Sequence, residues 1–294
     1  MAAITNTTLT TDITVKAREI DFVSRFTQNW DALREIMGIM NPVRKQPGTT
    51  LKSVKASITL ADGAVAEGDV IPFSKPKVTE VAHEDLVLRK YAKAVTIEAV
   101  NKYGADVAIQ KTDDAFLNEL QATVMSEFYA FIKTGSLKGT ATNFQAGFAE
   151  AVGSVVDKFK KMHLNAGGVV VFVNTMDAYR YLGAAQLTVQ NQFGMNYIEN
   201  FMGADTVILS SEIEAGKIIA TVADNMVLYY ADPGDGDFKQ LGLDYTVQGE
   251  TNLIGFHASG NYSRAMGENY ALMGMKLWAE YLDGIAVVTV SAAS

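Results

Sequence analysis

Only one short stretch of this sequence groups side chains with the look of a ligand site: Asp232-Pro-Gly-Asp-Gly-Asp237. Carboxylates on a glycine-rich loop suit a hard cation such as Ca²⁺, which takes oxygen ligands. The spacing is not that of an EF-hand, and no Glu closes the loop. A solvated turn rich in Asp and Gly accounts for the stretch better. The histidines His83, His163 and His257 are far apart and form no His-Glu-x-x-His pattern. They read as structural or surface side chains. With no cysteine, disulfides and thiolate metal sites are excluded. No GxxxxGK[ST], GxGxxG or GxSxG motif occurs. Gly167-Gly168 precedes a predicted strand instead of following one, the wrong order for a phosphate cradle. An α/β enzyme needs a convergent catalytic set, and none is offered. The reading assigns no catalytic residue, no cofactor-binding residue and no metal ligand.

The bulk properties point the same way. At 294 residues the chain can build one or two domains around a large core. Hydrophobic residues at 48% against charged residues at 20% mark a folded chain, not a disordered one. A net charge of -8 argues against a nucleic-acid grip, because phosphate contacts need cations. The 14 Phe and 12 Tyr are spread through predicted strands and helices, as core and interface residues are, with no base-stacking platform. The first residues, Met-Ala-Ala-Ile-Thr-Asn-Thr-Thr, lack the pattern of a secretory signal, and no run is long and apolar enough to span a bilayer. Synthesis in a reducing cytoplasm is expected. Asn261-Tyr-Ser263 matches a glycosylation acceptor but carries no weight without a secretory signal.

The elements follow from periodicity. Residues 1–16 are rich in Thr and read as a flexible arm. Ile20, Val23, Phe26, Trp30, Leu33 and Met37 have helical spacing, and Gly38 and Pro42 end that helix. It suits docking on a partner or on the chain's own core equally well. From Thr49 the period changes to two, with Val54, Ala56, Ile58 and Leu60 alternating with Lys55, Ser57 and Thr59. Asp62-Gly63 and Glu67-Gly68-Asp69 are turn signals. A second extended segment is expected from about Val78 to Val100. Together these make a long two-stranded ribbon, which is marginally stable in water and needs a surface to lie on. Gly104 is read as the break before a helix over about 105–134, whose stripe holds Ile109, Phe116, Leu117, Leu120, Val124, Phe128 and Phe131 and whose stop is Gly135. Such a helix is about 40 Å long. Residues 135–143 read as a polar linker. Beyond it lie a helix from Phe144 to Met162, a doubly buried strand Val169–Val173, a helix capped by Asn174-Thr175, and strands at 207–209, 218–222 and 226–230. The last third, from about Tyr245, is strand-like, at 253–258, 270–277 and 285–290.

In that order the chain resembles the major capsid proteins of tailed bacteriophages, the Hong Kong 97-type fold. The resemblance covers nearly the whole chain. It rests on Glu67-Gly-Asp-Val-Ile-Pro-Phe73 ahead of Val95-Thr-Ile-Glu98, on Asn191-Gln-Phe-Gly-Met-Asn-Tyr-Ile-Glu-Asn-Phe-Met-Gly203, and on Gly216-Lys-Ile-Ile-Ala-Thr-Val222 leading to Asn225. It implies an α+β fold with an N-terminal arm and helix (1–40), an extended E-loop hairpin and the start of the peripheral (P) domain (41–104), a P-domain spine helix (105–143), an axial (A) domain (144–245) and returning P-domain strands (246–294). It further implies a structural, non-enzymatic subunit that self-assembles into pentamers and hexamers around double-stranded DNA, without binding that DNA strongly. A separate scaffolding protein, a portal and decoration proteins are the implied partners, and the virion is the implied location. Glu67, Gly68, Asp69, Ile71, Phe73 and Lys75 on the hairpin are the implied assembly residues. Asp232, Asp235 and Asp237, with the loop at Gly194, are candidates for the capsomer axis. Lys75 and Lys77 lie where some relatives carry a cross-linking Lys, but no matching Asn or Glu is found, so that chemistry is not carried over. An encapsulin, a nanocompartment shell of the same fold with a cargo groove on the helix near 20–37, is the alternative.

Overall fold

The structure, a computed structural model, describes residues 17–39, 42–183, 190–192, 195–247 and 252–291. The expected arm at 1–16 and the loop at Gly194 lie outside them. Along the chain run α1 (Ala17–Met37), β1 (Val43–Arg44), β2 (Thr50–Thr59), β3 (Lys75–Asp85), β4 (Arg89–Thr96), α2 (Ile97–Tyr103) and α3 (Lys111–Ile132). Then come β5 (Leu137–Ala141), α4 (Phe144–Lys161), β6 (Val169–Asn174), α5 (Thr175–Leu182), β7 (Gln190–Gln192), β8 (Met195–Phe201), β9 (Ala204–Ser210) and β10 (Lys217–Val222). The rest is β11 (Met226–Ala231), α6 (Gly236–Gln240), β12 (Ile254–Asn261), β13 (Met266–Ala279) and β14 (Ala286–Val290).

The strands form a seven-stranded sheet of order β5-β14-β10-β6-β9-β8-β7 and a five-stranded sheet of order β1-β11-β13-β12, in which β4 also pairs with β13. The Val169–Val173 run shows why the first sheet must be covered twice. Successive side chains alternate across a strand. Val170 and Phe172 enter a core with α1 and α3, while Val169, Val171 and Val173 enter a second core with α4 and α5. The first core continues under the five-stranded sheet through Phe256, Met273 and Leu277. Helix α1 therefore docks on its own chain. Phe22, Val23, Phe26 and Trp30 are buried, and Phe22 stacks on Phe256 at 4.2 Å.

Two charge clusters fix the start of α1. Arg18 donates to both oxygens of Asp113, at 2.7 and 2.8 Å, and Lys93 reaches the same carboxylate at 2.5 Å. Glu19, buried, accepts from Thr246 Oγ1 and from the Ala258 amide. Burial acts to raise the Asp113 carboxyl, but Arg18 and Lys93 outweigh it and hold it below the ordinary carboxylate range.

Several expectations are corrected. The extended segment does not run from Val78 to Val100. β3 ends at Asp85 and β4 at Thr96, and Ile97 and Ala99 are helical. Thr96 Oγ1 accepts from the Ala99 amide at 3.3 Å and so caps α2. Gly104, at φ +83°, ends this short helix rather than a strand. The long helix begins with a π-helical stretch, Asp106–Gln110, before α3. Gly135 is required by contact. A Cβ there would lie 2.7 Å from the Ile285 carbonyl oxygen. The expected linker 135–143 contains β5, parallel to β14. β11 belongs to the five-stranded sheet and β14 to the seven-stranded one, so the chain passes between the two sheets. Asn225 sits where the chain crosses between them. Its buried amide donates to Thr221 Oγ1 and the Tyr281 carbonyl and accepts from the Tyr281 amide.

Candidate assembly interface

β2 and β3 pair with each other and with no other described strand. The register runs from Thr50↔Asp85 to Thr59↔Lys75, with a bulge between Thr50 and Lys52. At about 3.4 Å per residue the ten residues of β2 carry the ribbon about 34 Å. The root is firmly held. Leu51 and Leu86 are buried against Tyr229, Ala231 and Trp278, and Lys276 pairs with Glu84 as Arg89 does with Glu127. Beyond the root the cover ends. Opposed residues share a face in an antiparallel pair, so Ile58, Pro76 and Val78 line one side, while Thr59, Lys75 and Lys77 line the other. Ile58 is 55% and Val78 63% exposed.

The tip, 60–74, is shaped by its own polar groups. Ser74 Oγ accepts from the Ala61 amide at 2.9 Å, and Asp62 accepts from the Ala64 amide at 3.0 Å. The Asp69 amide donates to the Ala66 carbonyl around Gly68, whose φ of +93° needs a residue without Cβ. Glu67, Gly68, Asp69, Ile71, Phe73 and Lys75 are all exposed. Phe73 is 98% exposed and Val70 88%. A contiguous apolar run held away from the body marks an interaction site. An apolar surface of this kind suits contact with another macromolecule.

The acidic stretch is not a free turn. Asp232 accepts from the Gly234 amide and from Asn252 Nδ2. Arg44, on β1 at the foot of the hairpin, pairs with Asp235 at 2.8 Å and Asp232 at 3.5 Å. Asp235 caps α6, and Asp237 is exposed in its first turn. Thus the hairpin residues share one surface, while Asp232 and Asp235 are tied to Arg44 at the hairpin's foot and Asp237 is exposed beside them. His163 adopts φ +57°, and His257 lies between Tyr245 and Tyr270, each 6.5 Å away. The His83 side chain lies outside the described set. Among the described residues no group of three His, Cys, Asp or Glu side chains is placed to hold a metal, and no helix is long and apolar enough to cross a membrane.

One surface escaped the sequence reading. Tyr262, in the turn joining β12 to β13, is 99% exposed beside Ile97, itself 48% exposed. In the sequence, the signal for it is the aromatic within the polar Asn261-Tyr-Ser263 stretch.

By sequence, no protein-family model and no curated protein matches this chain. Solved structures do match. A subunit of the bacteriophage PhiM1 mature capsid aligns with TM-score 0.58 and 8% identity, over 88% of this chain and 87% of that one. A Cyanophage A-1(L) capsid subunit aligns with TM-score 0.54 and 12% identity, over 99% and 100%. A virus-like particle from Pyrococcus furiosus aligns with TM-score 0.52 and 12% identity, over 93% and 100%. The α+β chain with two interlocked sheets, a long central helix and a detached hairpin thus shares the fold of these subunits. Its fold is the Hong Kong 97 type of tailed-phage major capsid proteins.

Proposed function

We propose that the chain is the structural subunit of an icosahedral shell of the phage-head type, assembling with copies of itself into pentamers and hexamers that enclose double-stranded DNA. The observation that carries this reading is the hairpin: a ribbon of about 34 Å anchored, among the described residues, at its root, with Ile58, Val70, Ile71 and Phe73 exposed. Left in water, this apolar surface gains nothing, and on a neighbouring copy it is removed from water. In this reading 50–80 is the E-loop, α3 belongs to the spine of the P domain, and the seven-stranded sheet with α4 and α5 forms most of the A domain. The role is non-catalytic. Scaffolding, portal and decoration proteins are the partners it calls for, and the virion is where it resides. The net charge of -8 supports DNA held by confinement rather than by a basic lining.

Deletion of 61–75 tests the reading. The root contacts of Leu51 and Leu86 remain, so the shortened chain folds. Particle formation, followed by electron microscopy and size-exclusion chromatography, is expected to stop. Closed shells from the deletion variant would refute the role given to the hairpin.

A further inference from the structure

A groove of about 450 Å³ lies between α2, the π-helical stretch and the β12–β13 turn. Ile97, Val100, Ile109, Tyr262 and Met266 are among its lining residues, and so is Arg18. The Ile97 amide donates to the Ala265 carbonyl at 3.1 Å, so helix and turn form one wall. Its size is that of a ligand cleft, about 300–1,000 Å³. It is not part of the hairpin surface and plays no role in the proposed shell contact.

We infer that this groove seats the chain's own N-terminal segment, with Ile13 and Val15 as the inserted side chains. The first argument is where the chain emerges. α1 begins at Ala17, and Arg18 both lines the groove and is locked by two hydrogen bonds to Asp113. Whatever precedes Ala17 therefore starts beside the groove. Four extended residues reach about 13–14 Å, so Ile13 and Val15 both stay within reach of the groove that Arg18 lines. The second argument is sequence. The stretch just before α1 reads Asp12-Ile-Thr-Val-Lys16. Alternation on an extended chain puts Ile13 and Val15 on one side and Thr14 on the other. Over residues 1–16 the only charged side chains are Asp12 and Lys16, so little charge must be stripped of water when the segment lies against carbon.

The test uses the full chain, which has no cysteine of its own. Ile13→Cys or Val15→Cys is combined with Val100→Cys or Tyr262→Cys, giving four double variants. Bridging needs Cα atoms about 4.4–6.8 Å apart, so only a seated segment is captured efficiently. After mild oxidation, at least one variant is expected to be mostly an intrachain disulfide, seen as a faster band on a non-reducing denaturing gel. A second arm compares hydrogen exchange in Ile13→Ser/Val15→Ser with the parent. Amides of 97–103 and 261–266 are expected to exchange at least threefold faster, with those of α3 unchanged. Absence of an intrachain disulfide in all four variants overturns the inference. So does capture only as dimers, which would give the groove to a segment of a second copy, and so do unchanged exchange rates.

Discussion

Phe73→Ala should weaken the shell and leave the subunit untouched. Phe73 is 98% exposed within its own chain, so truncation removes almost no internal contact. Surface changes of this kind stay within about 0.5 kcal/mol, and the melting temperature of unassembled subunits should not move measurably. On a neighbour the account is different. Fully burying a Phe side chain contributes about 1.5–3 kcal/mol over leaving it exposed. A loss of about 2 kcal/mol per contact weakens pairwise association about 30-fold, since about 1.4 kcal/mol is tenfold. In the proposed ring each subunit would give one hairpin and receive one, so every seam would weaken together. The threshold concentration for assembly should rise by at least the pairwise factor. Light scattering against protein concentration measures that threshold, and calorimetry of dilute subunits measures the fold. An unchanged threshold with unchanged melting would mean that Phe73 meets no neighbour. A lower melting point of the lone subunit would mean that the side chain is covered by its own chain, contrary to the exposure on which the reasoning rests.

Gly135→Ala sets a Cβ 2.7 Å from the Ile285 carbonyl oxygen and should lower stability by about 1–3 kcal/mol, read from urea midpoints. Asp113→Asn removes the anchor of Arg18 and Lys93 and should lower stability by about 1.5–3 kcal/mol at neutral pH. The folded pKa of Asp113 is depressed, so its contribution is complete above the unfolded value of about 3.9 and is lost as pH falls through the folded one. Urea midpoints against pH should therefore show a shallower acid limb in the variant. Asp235→Asn with Asp237→Asn breaks the pair with Arg44 and should cost less than about 1 kcal/mol, fading with salt. A gain in capsomer stability at low salt would instead place these carboxylates against their own copies around an axis. Metal analysis after dialysis should find no stoichiometric transition metal, and one held by His163 or His257 would overturn the non-catalytic reading.

Much of the architecture is written in local pattern. The Val169–Val173 run shows its burial on both faces by having no polar position, and the helix over 144–161 shows its inner face through Phe148, Val155 and Phe159. What local pattern omits is set by distant partners. Leu137-Lys-Gly-Thr-Ala141 carries a Gly and a Lys and sits at the sheet edge, where such residues are common. Its partner is β14, near the other end of the chain. The strand through Ile97 fails because an apolar Val-Thr-Ile run fits a strand as well as a capped helix, and Thr96 decides in favour of the cap. At the candidate interface, alternation along β2 shows that one face is apolar, but only the fold shows that Ile58 and Val78 are left exposed by the described residues. The Arg44–Asp235 pair spans 191 positions, so an acidic stretch that reads as solvated is in fact tethered.

The position of β14 bears on when a subunit becomes competent. Ala286–Val290 pairs with β5 on one side and β10 on the other, so until it is made β5 lacks its strand partner and β10 has only β6. Sequence-distant pairing of this kind is slow, because the loop must close before contacts reward it. A nascent chain can complete its hairpin, whose two strands are neighbours in sequence, long before the body behind it is finished. The sticky element thus exists on the ribosome ahead of the sheet that makes the subunit rigid. Formation of β14 acts as a clock for the seven-stranded sheet, which is complete only once residues 286–290 have been added.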